Sequence, residues 1–288
     1  MSELYAAIAT PLDASGNLNK SAFTQLIEHL AAQGLDGVVP CGTTGEGPSF
    51  SIAERLEIIK TAIAARGNLS IIAGTGCQSL HETIALTNAA IEAGADAALV
   101  LPPFFFKQSG EAGVLAWYRA VCDHLTANGK LVLYHIPPMT GVAITPAIID
   151  GLLESHPQAI LGIKDSAVDV AHTKMLCDRY PQLKIYTGNA PLLGQAVNDG
   201  AAGSILAIAN IVPRALRHLT DNPTDVEVQQ QVAHVDAYVR KVGAVSTIKA
   251  ILNQAGIADM GNPLLPQLAH PDATRAYTEF KAIGQHTS

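Results

Sequence analysis

Short apolar runs alternate along the chain with longer segments in which apolar positions recur at helical spacing. The runs cover residues 5–9, 37–40, 70–73, 97–101, 131–134, 160–164, 184–187 and 203–207, and the clearest amphipathic segments between them cover 21–33, 52–65, 80–93 and 114–125. Strand-like and helical patterns in alternation predict a parallel sheet covered by crossover helices. Several helical segments end in glycine, at Gly34, Gly94 and Gly200, where a left-handed C-cap hands the chain to the next strand. Eight such units fit within the ~250 residues of a (β/α)8 barrel. The pattern therefore predicts an α/β chain, a (β/α)8 TIM barrel over residues 1–223 and a C-terminal helical extension over 224–288, clearest at 226–242 and 246–254. No low-complexity linker separates the two, so the extension is expected to pack on the barrel. An open doubly wound sheet is the alternative, but its first strand should lead into a glycine-rich pyrophosphate loop, and Ala9-Thr10-Pro11-Leu12 is not one.

Of the 288 residues, 48% are hydrophobic and 15% charged, which excludes an intrinsically disordered chain. Eighteen Lys plus Arg against 25 Asp plus Glu give a net charge of -7, the wrong sign for neutralising a phosphate backbone, so no nucleic-acid partner is expected. No positively charged leader with a long apolar stretch opens the sequence, and no apolar run nears the ~20 residues of a membrane span. A soluble, cytoplasmic protein without a membrane partner is expected. Cys41, Cys77, Cys122 and Cys177 are too far apart for a paired metal or dithiol motif and too few for a disulfide framework; they read as buried thiols.

In such a barrel, function sits at the C-terminal ends of the strands, so the polar residues there are the candidates. After the second strand, Cys41-Gly42-Thr43-Thr44-Gly45-Glu46-Gly47 combines paired hydroxyls with free backbone N–H groups, which can hold a carboxylate without a full positive charge. An ordinary threonine-capped turn would look the same. The fifth strand ends in Tyr134 before a proline-stiffened loop, where a phenol either shuttles protons or packs as a core aromatic. The sixth closes on Lys164, a single lysine after an apolar strand. A lysine buried at such a place is pushed toward the neutral amine, which can form an imine with a carbonyl; a solvated or ion-paired lysine is the plainer reading. Asp165 alternates to the opposite face and reads as a structural partner or a helix N-cap.

Together, Gly-Thr-Thr-Gly-Glu at 42–46, Tyr-x-x-Pro-x-x-x-Gly at 134–141 and Gly-x-Lys-Asp at 162–165 resemble the dihydrodipicolinate synthase and N-acetylneuraminate lyase superfamily of class I pyruvate aldolases, over residues 3 to 285. The resemblance implies a (β/α)8 barrel with a helical extension, a homotetramer, and a Schiff base between lysine and a 2-oxo acid. It makes Lys164 the nucleophile and Tyr134 the proton shuttle. Thr43 and Thr44 would hold the substrate carboxylate, and Thr44 would join the catalytic set by hydrogen-bonding the tyrosine. Gly188, Gly203 and Ile205 match positions where the family's backbone passes close to substrate, although glycines there can also be packing residues. The imine is its own electron sink, so no cofactor and no metal are implied. The ten histidines agree, being scattered without a His-x-His or His-Glu-x-x-His pattern.

Departures from the family pattern narrow the expectation. Dihydrodipicolinate synthases carry a tyrosine after the fourth strand that is lent to a neighbouring subunit, but Pro102-Pro103-Phe104-Phe105-Phe106-Lys107 has no phenol. Where those synthases place an arginine for a second carboxylate, this chain has Met139, the candidate substrate-binding residue of that loop. Neuraminate lyases have Gly-Ser-Thr-Gly-Glu in place of Gly-Thr-Thr-Gly-Glu. No Lys or Arg lies between Lys184 and Arg214, so a phosphorylated substrate would lack a charged clamp on that side. The expected reaction is cleavage of a 2-keto-3-deoxy sugar acid such as 2-keto-3-deoxygluconate to pyruvate and an aldehyde. The alternatives are dehydration of such an acid through the same imine, and dihydrodipicolinate synthesis. A non-catalytic sugar-acid sensor would make Lys164 dispensable.

Overall fold

The apolar runs become strands that pair in chain order and close on themselves in the computed structural model, which describes residues 2–284. They are β1 (Glu3–Ala6), β2 (Gly37–Val38), β3 (Ser70–Gly74), β4 (Ala97–Val100), β5 (Leu131–His135), β6 (Ile160–Asp165), β7 (Lys184–Thr187) and β8 (Gly203–Leu206), each parallel to its neighbours. The expected (β/α)8 barrel with a helical C-terminal extension is the observed fold.

The helices around it are α1 (Lys20–Ala32), α2 (Ile52–Ala65), α3 (Leu80–Glu92), α4 (Gly110–Asp123), the single turn α5 (Pro137–Thr140), α6 (Pro146–Ser155), α7 (Val170–Arg179), α8 (Leu193–Asn198) and α9 (Pro213–Asp221). Their ends follow from local chemistry. Ser51 and Glu54 form a reciprocal capping box at the start of α2, and Asn19, Ser79 and Asp169 accept backbone N–H bonds at the starts of α1, α3 and α7. Gly34, Gly94 and Gly200 take positive φ just past α1, α3 and α8. The extension adds α10 (Val226–Val242), α11 (Ala244–Gln254) and α12 (Ala273–Gly284).

Side chains alternate between two apolar layers. Val132 and Tyr134 of β5 point into the barrel with Val39, Leu99, Tyr186 and Ile205, whereas Leu131 and Leu133 face the helices with Tyr118, Ile149 and Leu176. A second outer cluster runs from Leu4 and Leu26 through Leu216 to Val235, Ile251 and Met260, so barrel and extension share one continuous core. Among the described residues, no helix is long and apolar enough to cross a membrane. All four cysteines are free thiols; Cys41, Cys77 and Cys122 are buried and Cys177 is half-buried.

Candidate active site

A β-bulge sets the aim of the lysine. Leu131 of β5 pairs with Ile160 but Val132 pairs with Gly162, so Leu161 is the extra residue and the inward phase of β6 moves by one position. Gly162, Lys164 and their β5 partners then fall into step, and Lys164 stands beside Tyr134 on the inner face. Only glycine fits at 162, where an added Cβ would meet the Lys184 carbonyl oxygen at 2.1 Å.

Lys164 is 4% exposed, and its Nζ donates to the Tyr134 Oη at 3.3 Å while lying 4.3 Å from the ring centroid. The phenol in turn meets the Thr43 Oγ1 at 3.2 Å. Here the structure departs from the implied arrangement: the hydroxyl bonded to the tyrosine is that of Thr43, and Thr44, buried beside it, makes no side-chain hydrogen bond among the described residues. The threonine turn is held in a strained shape. Cys41 and Glu46 both take φ of +57°, an unfavourable left-handed conformation for residues with a Cβ, and Gly47 N–H closes the turn on the Gly42 carbonyl at 3.0 Å. Its anchor is Glu46, whose carboxylate reaches away from the cavity to Lys249 Nζ at 2.6 Å and accepts the Leu264 N–H at 2.6 Å.

Thr43, Thr44, Tyr134, Lys164, Gly188 and Ile205 line one cavity of about 190 Å³ at the C-terminal mouth of the barrel, and Met139 stands at its rim, 69% exposed. Gly203 is elsewhere. It opens β8 at the opposite end of the barrel, opposite Glu3, and an added Cβ would meet the Glu3 carbonyl oxygen at 2.0 Å, so close backbone packing accounts for this glycine. The cavity also has walls that strand-end reasoning missed: Ser166 and Asn189 after β6 and β7, and Asp236, Val239 and Arg240 on α10. Ser166 and Asn189 directly follow named motif positions and could have been found by extending the strand-end search by one or two residues. Nothing in the local sequence around α10 marks its residues as facing the site.

Behind the lysine, on the helix side of the sheet, Asp165 accepts from Thr173 Oγ1 at 2.7 Å and pairs with His172 Nδ1 at 3.1 Å, and the His172 ring stacks on His135 at 4.5 Å. Burial raises the Asp165 carboxyl, but the His172 and Thr173 bonds outweigh it and hold it below its ordinary value. Burial, reinforced by neighbouring His172, lowers His135 to about 4. Among the described residues, His135, Asp165 and His172 form the one group of three whose ligating atoms come within 4.8 Å of one another. The His135 Nδ1 accepts the Ile144 N–H at 3.0 Å, which places its proton on Nε2 and leaves no lone pair there for a metal. The cluster is a clasp between β5, β6 and α7 that holds the backbone next to Tyr134 and Lys164.

Comparison with known proteins places this geometry in context. The profile of the Dihydrodipicolinate synthetase family matches residues 1–286. An "Uncharacterized DapA-like lyase" of Chloroflexus aurantiacus is 49% identical over 219 residues, 76% of this chain and 73% of that protein. A 4-hydroxy-tetrahydrodipicolinate synthase of Corynebacterium diphtheriae is 33% identical over 271 residues, 91% of this chain and 87% of its own. Among solved structures, a chloride-inhibited dihydrodipicolinate synthase from Acinetobacter baumannii, complexed with pyruvate, superposes with a TM-score of 0.89 at 28% identity, covering 99% of this chain and 98% of that one.

Proposed function

Because the chain belongs to the dihydrodipicolinate synthetase family, we propose that it is a Schiff-base aldolase that cleaves a 2-keto-3-deoxy sugar acid, such as 2-keto-3-deoxygluconate, to pyruvate and an aldehyde. The carrying observation is the chain of contacts Lys164 Nζ to Tyr134 Oη to Thr43 Oγ1 inside one cavity. The substrate carboxylate rests on the hydroxyl and N–H donors of the Thr43-Thr44 turn, which puts its C2 carbonyl within reach of Lys164. The amine adds to C2, and Tyr134 gives its phenol proton to the departing hydroxyl, which leaves as water; this yields a protonated imine beside a tyrosinate. Tyr134 takes the proton of the C4 hydroxyl as the C3–C4 bond breaks, the bonding pair moves into an enamine with the imine nitrogen as its sink, and the aldehyde departs. Protonation at C3 and hydrolysis of the imine release pyruvate and restore the lysine. The pyruvate complex of the Acinetobacter baumannii relative supports a 2-oxo acid as the group held here.

The substrate assignment draws on the Phe104-Phe105-Phe106 loop, which offers no phenol, and on Met139 at the rim where the synthases are expected to carry arginine. The named synthase relatives favour a second reading, condensation of pyruvate with aspartate semialdehyde. One set of assays separates them: pyruvate release from 2-keto-3-deoxygluconate, and consumption of pyruvate with either D-glyceraldehyde or L-aspartate semialdehyde. Pyruvate release with preference for the neutral aldehyde supports the aldolase, and preference for the semialdehyde replaces it with the synthase. A product that retains all six carbons identifies a dehydratase using the same imine. In each case borohydride with pyruvate should fix one three-carbon group on Lys164, and full activity in Lys164→Ala rejects the imine altogether.

A further inference from the structure

Helix α10 comes from outside the barrel, yet it sets part of the cavity wall. Asp236 and Arg240 lie one turn apart on the same face, and the Arg240 Nε donates to the Asp236 Oδ2 at 2.6 Å. That is the only hydrogen bond either side chain makes among the described residues, so both guanidinium Nη groups and the second carboxylate oxygen remain uncommitted. The Asp236 side chain is 8% exposed, which is costly for a carboxylate with one partner, whereas Arg240 stays 53% exposed at the mouth. A second wall residue is also unsatisfied: Asn189 is 2% exposed and its Nδ2 is buried without a partner among the described residues.

We propose that Asp236 and Arg240 form the subsite that reads the aldehyde-derived end of the substrate, and that the chemistry they select is a neutral polyol. A vicinal diol suits the pair, since one hydroxyl can donate to the free Asp236 oxygen while its neighbour accepts from an Arg240 Nη. Asn189 offers a further donor to a hydroxyl oxygen from the β7 side. The pair carries no net charge, so a second carboxylate or a phosphate meets a cation whose field is already cancelled by a carboxylate one turn away. Asp236 thus acts as the discriminating charge: it keeps Arg240 from serving as an anion clamp.

This inference rests on the aldolase reading, and the test keeps the two apart. Borohydride trapping of pyruvate counts imine-competent sites in wild type, Asp236→Asn and Arg240→Gln, and condensation rates are then expressed per trapped site. Three aldehydes are compared: D-glyceraldehyde, propanal, which lacks hydroxyls, and L-aspartate semialdehyde. Each variant should lose about tenfold or more in kcat/KM for glyceraldehyde and several-fold less for propanal per trapped site, so that the preference for glyceraldehyde over propanal falls. Asp236→Asn, with its arginine released, should gain severalfold on the semialdehyde. Equal losses on all three aldehydes, or unchanged glyceraldehyde selectivity, overturns the subsite and leaves the lysine chemistry standing. Absence of trapping in the wild type overturns both.

Discussion

Removing one oxygen from Tyr134 distinguishes proton transfer from packing. Tyr134→Phe keeps the ring in the inner layer but severs both the 3.3 Å contact to Lys164 and the 3.2 Å contact to Thr43. General acid–base groups contribute ~10²–10⁴-fold, so kcat should fall by a factor in that range while pyruvate can still be trapped on Lys164. A variant with wild-type kcat returns Tyr134 to the role of a core aromatic. His135 makes a different statement, about stability. Its folded-state value of about 4 lies below the ~6.5 of an unfolded histidine, so the neutral ring contributes stability that is present above that pH and is lost as pH falls toward 4. In His135→Asn, whose amide oxygen can accept the Ile144 N–H, urea denaturation should show a smaller loss of stability between about pH 7.5 and 5 than in wild type. An identical loss in the two proteins rejects the buried neutral histidine as its source.

At the scale of elements, the strained threonine turn depends on α11. Glu46 and Lys249 are 0% and 2% exposed in their side chains, and burial lowers the Lys249 pKa against the opposing pull of Glu46. Breaking a buried pair from one side costs ~3–5 kcal/mol, whereas replacing both charges is often close to neutral. Lys249→Met alone should therefore destabilise by about 3 kcal/mol or more and raise KM for pyruvate as the turn loses its anchor. Adding Glu46→Gln should recover much of the stability, because the amide oxygen still accepts the Leu264 N–H. Chemical denaturation and pyruvate KM on the single and double variants check this, and additive losses reject the coupling. The turn itself was legible as Gly-Thr-Thr-Gly-Glu, since its glycines and hydroxyls are local signals. Its anchor was not, because a lysine far along the chain in an amphipathic helix looks like any solvated residue until that helix is docked. The same holds for β6: its apolar run was visible, but the bulge at Leu161 that aims Lys164 exists only in its pairing with β5.

For the molecule as a whole, the resemblance implies a homotetramer, and the exposed phenylalanines after β4 give that expectation a surface on which to test it. Phe105 and Phe106, 72% and 70% exposed, stack edge-to-face at 5.2 Å in the loop after β4. Paired exposed phenylalanines are unusual on a lone soluble chain. Light scattering of the purified protein should give four times the chain mass, and Phe105→Ser with Phe106→Ser should yield smaller species. A wild-type monomer would refute the implied assembly.

The sequence by itself determined the barrel, because the alternation of β and α patterns, the helix caps and the strand-end positions are properties of neighbouring residues and need no knowledge of distant ones. It also determined which strand ends carry a lysine, a tyrosine and two threonines. Tertiary structure decided which of them meet: Thr43 rather than Thr44 bonds the phenol, and Gly203 lies at the far end of the barrel from the cavity. It also brought Asp236 and Arg240 of α10 over the mouth, supplying a charged pair where the barrel's own loops offer Met139. The physical reason is that periodicity fixes the face on which a side chain lies, whereas contact between distant segments depends on barrel closure, a one-residue bulge and the docking of the extension, none of which leaves a local trace.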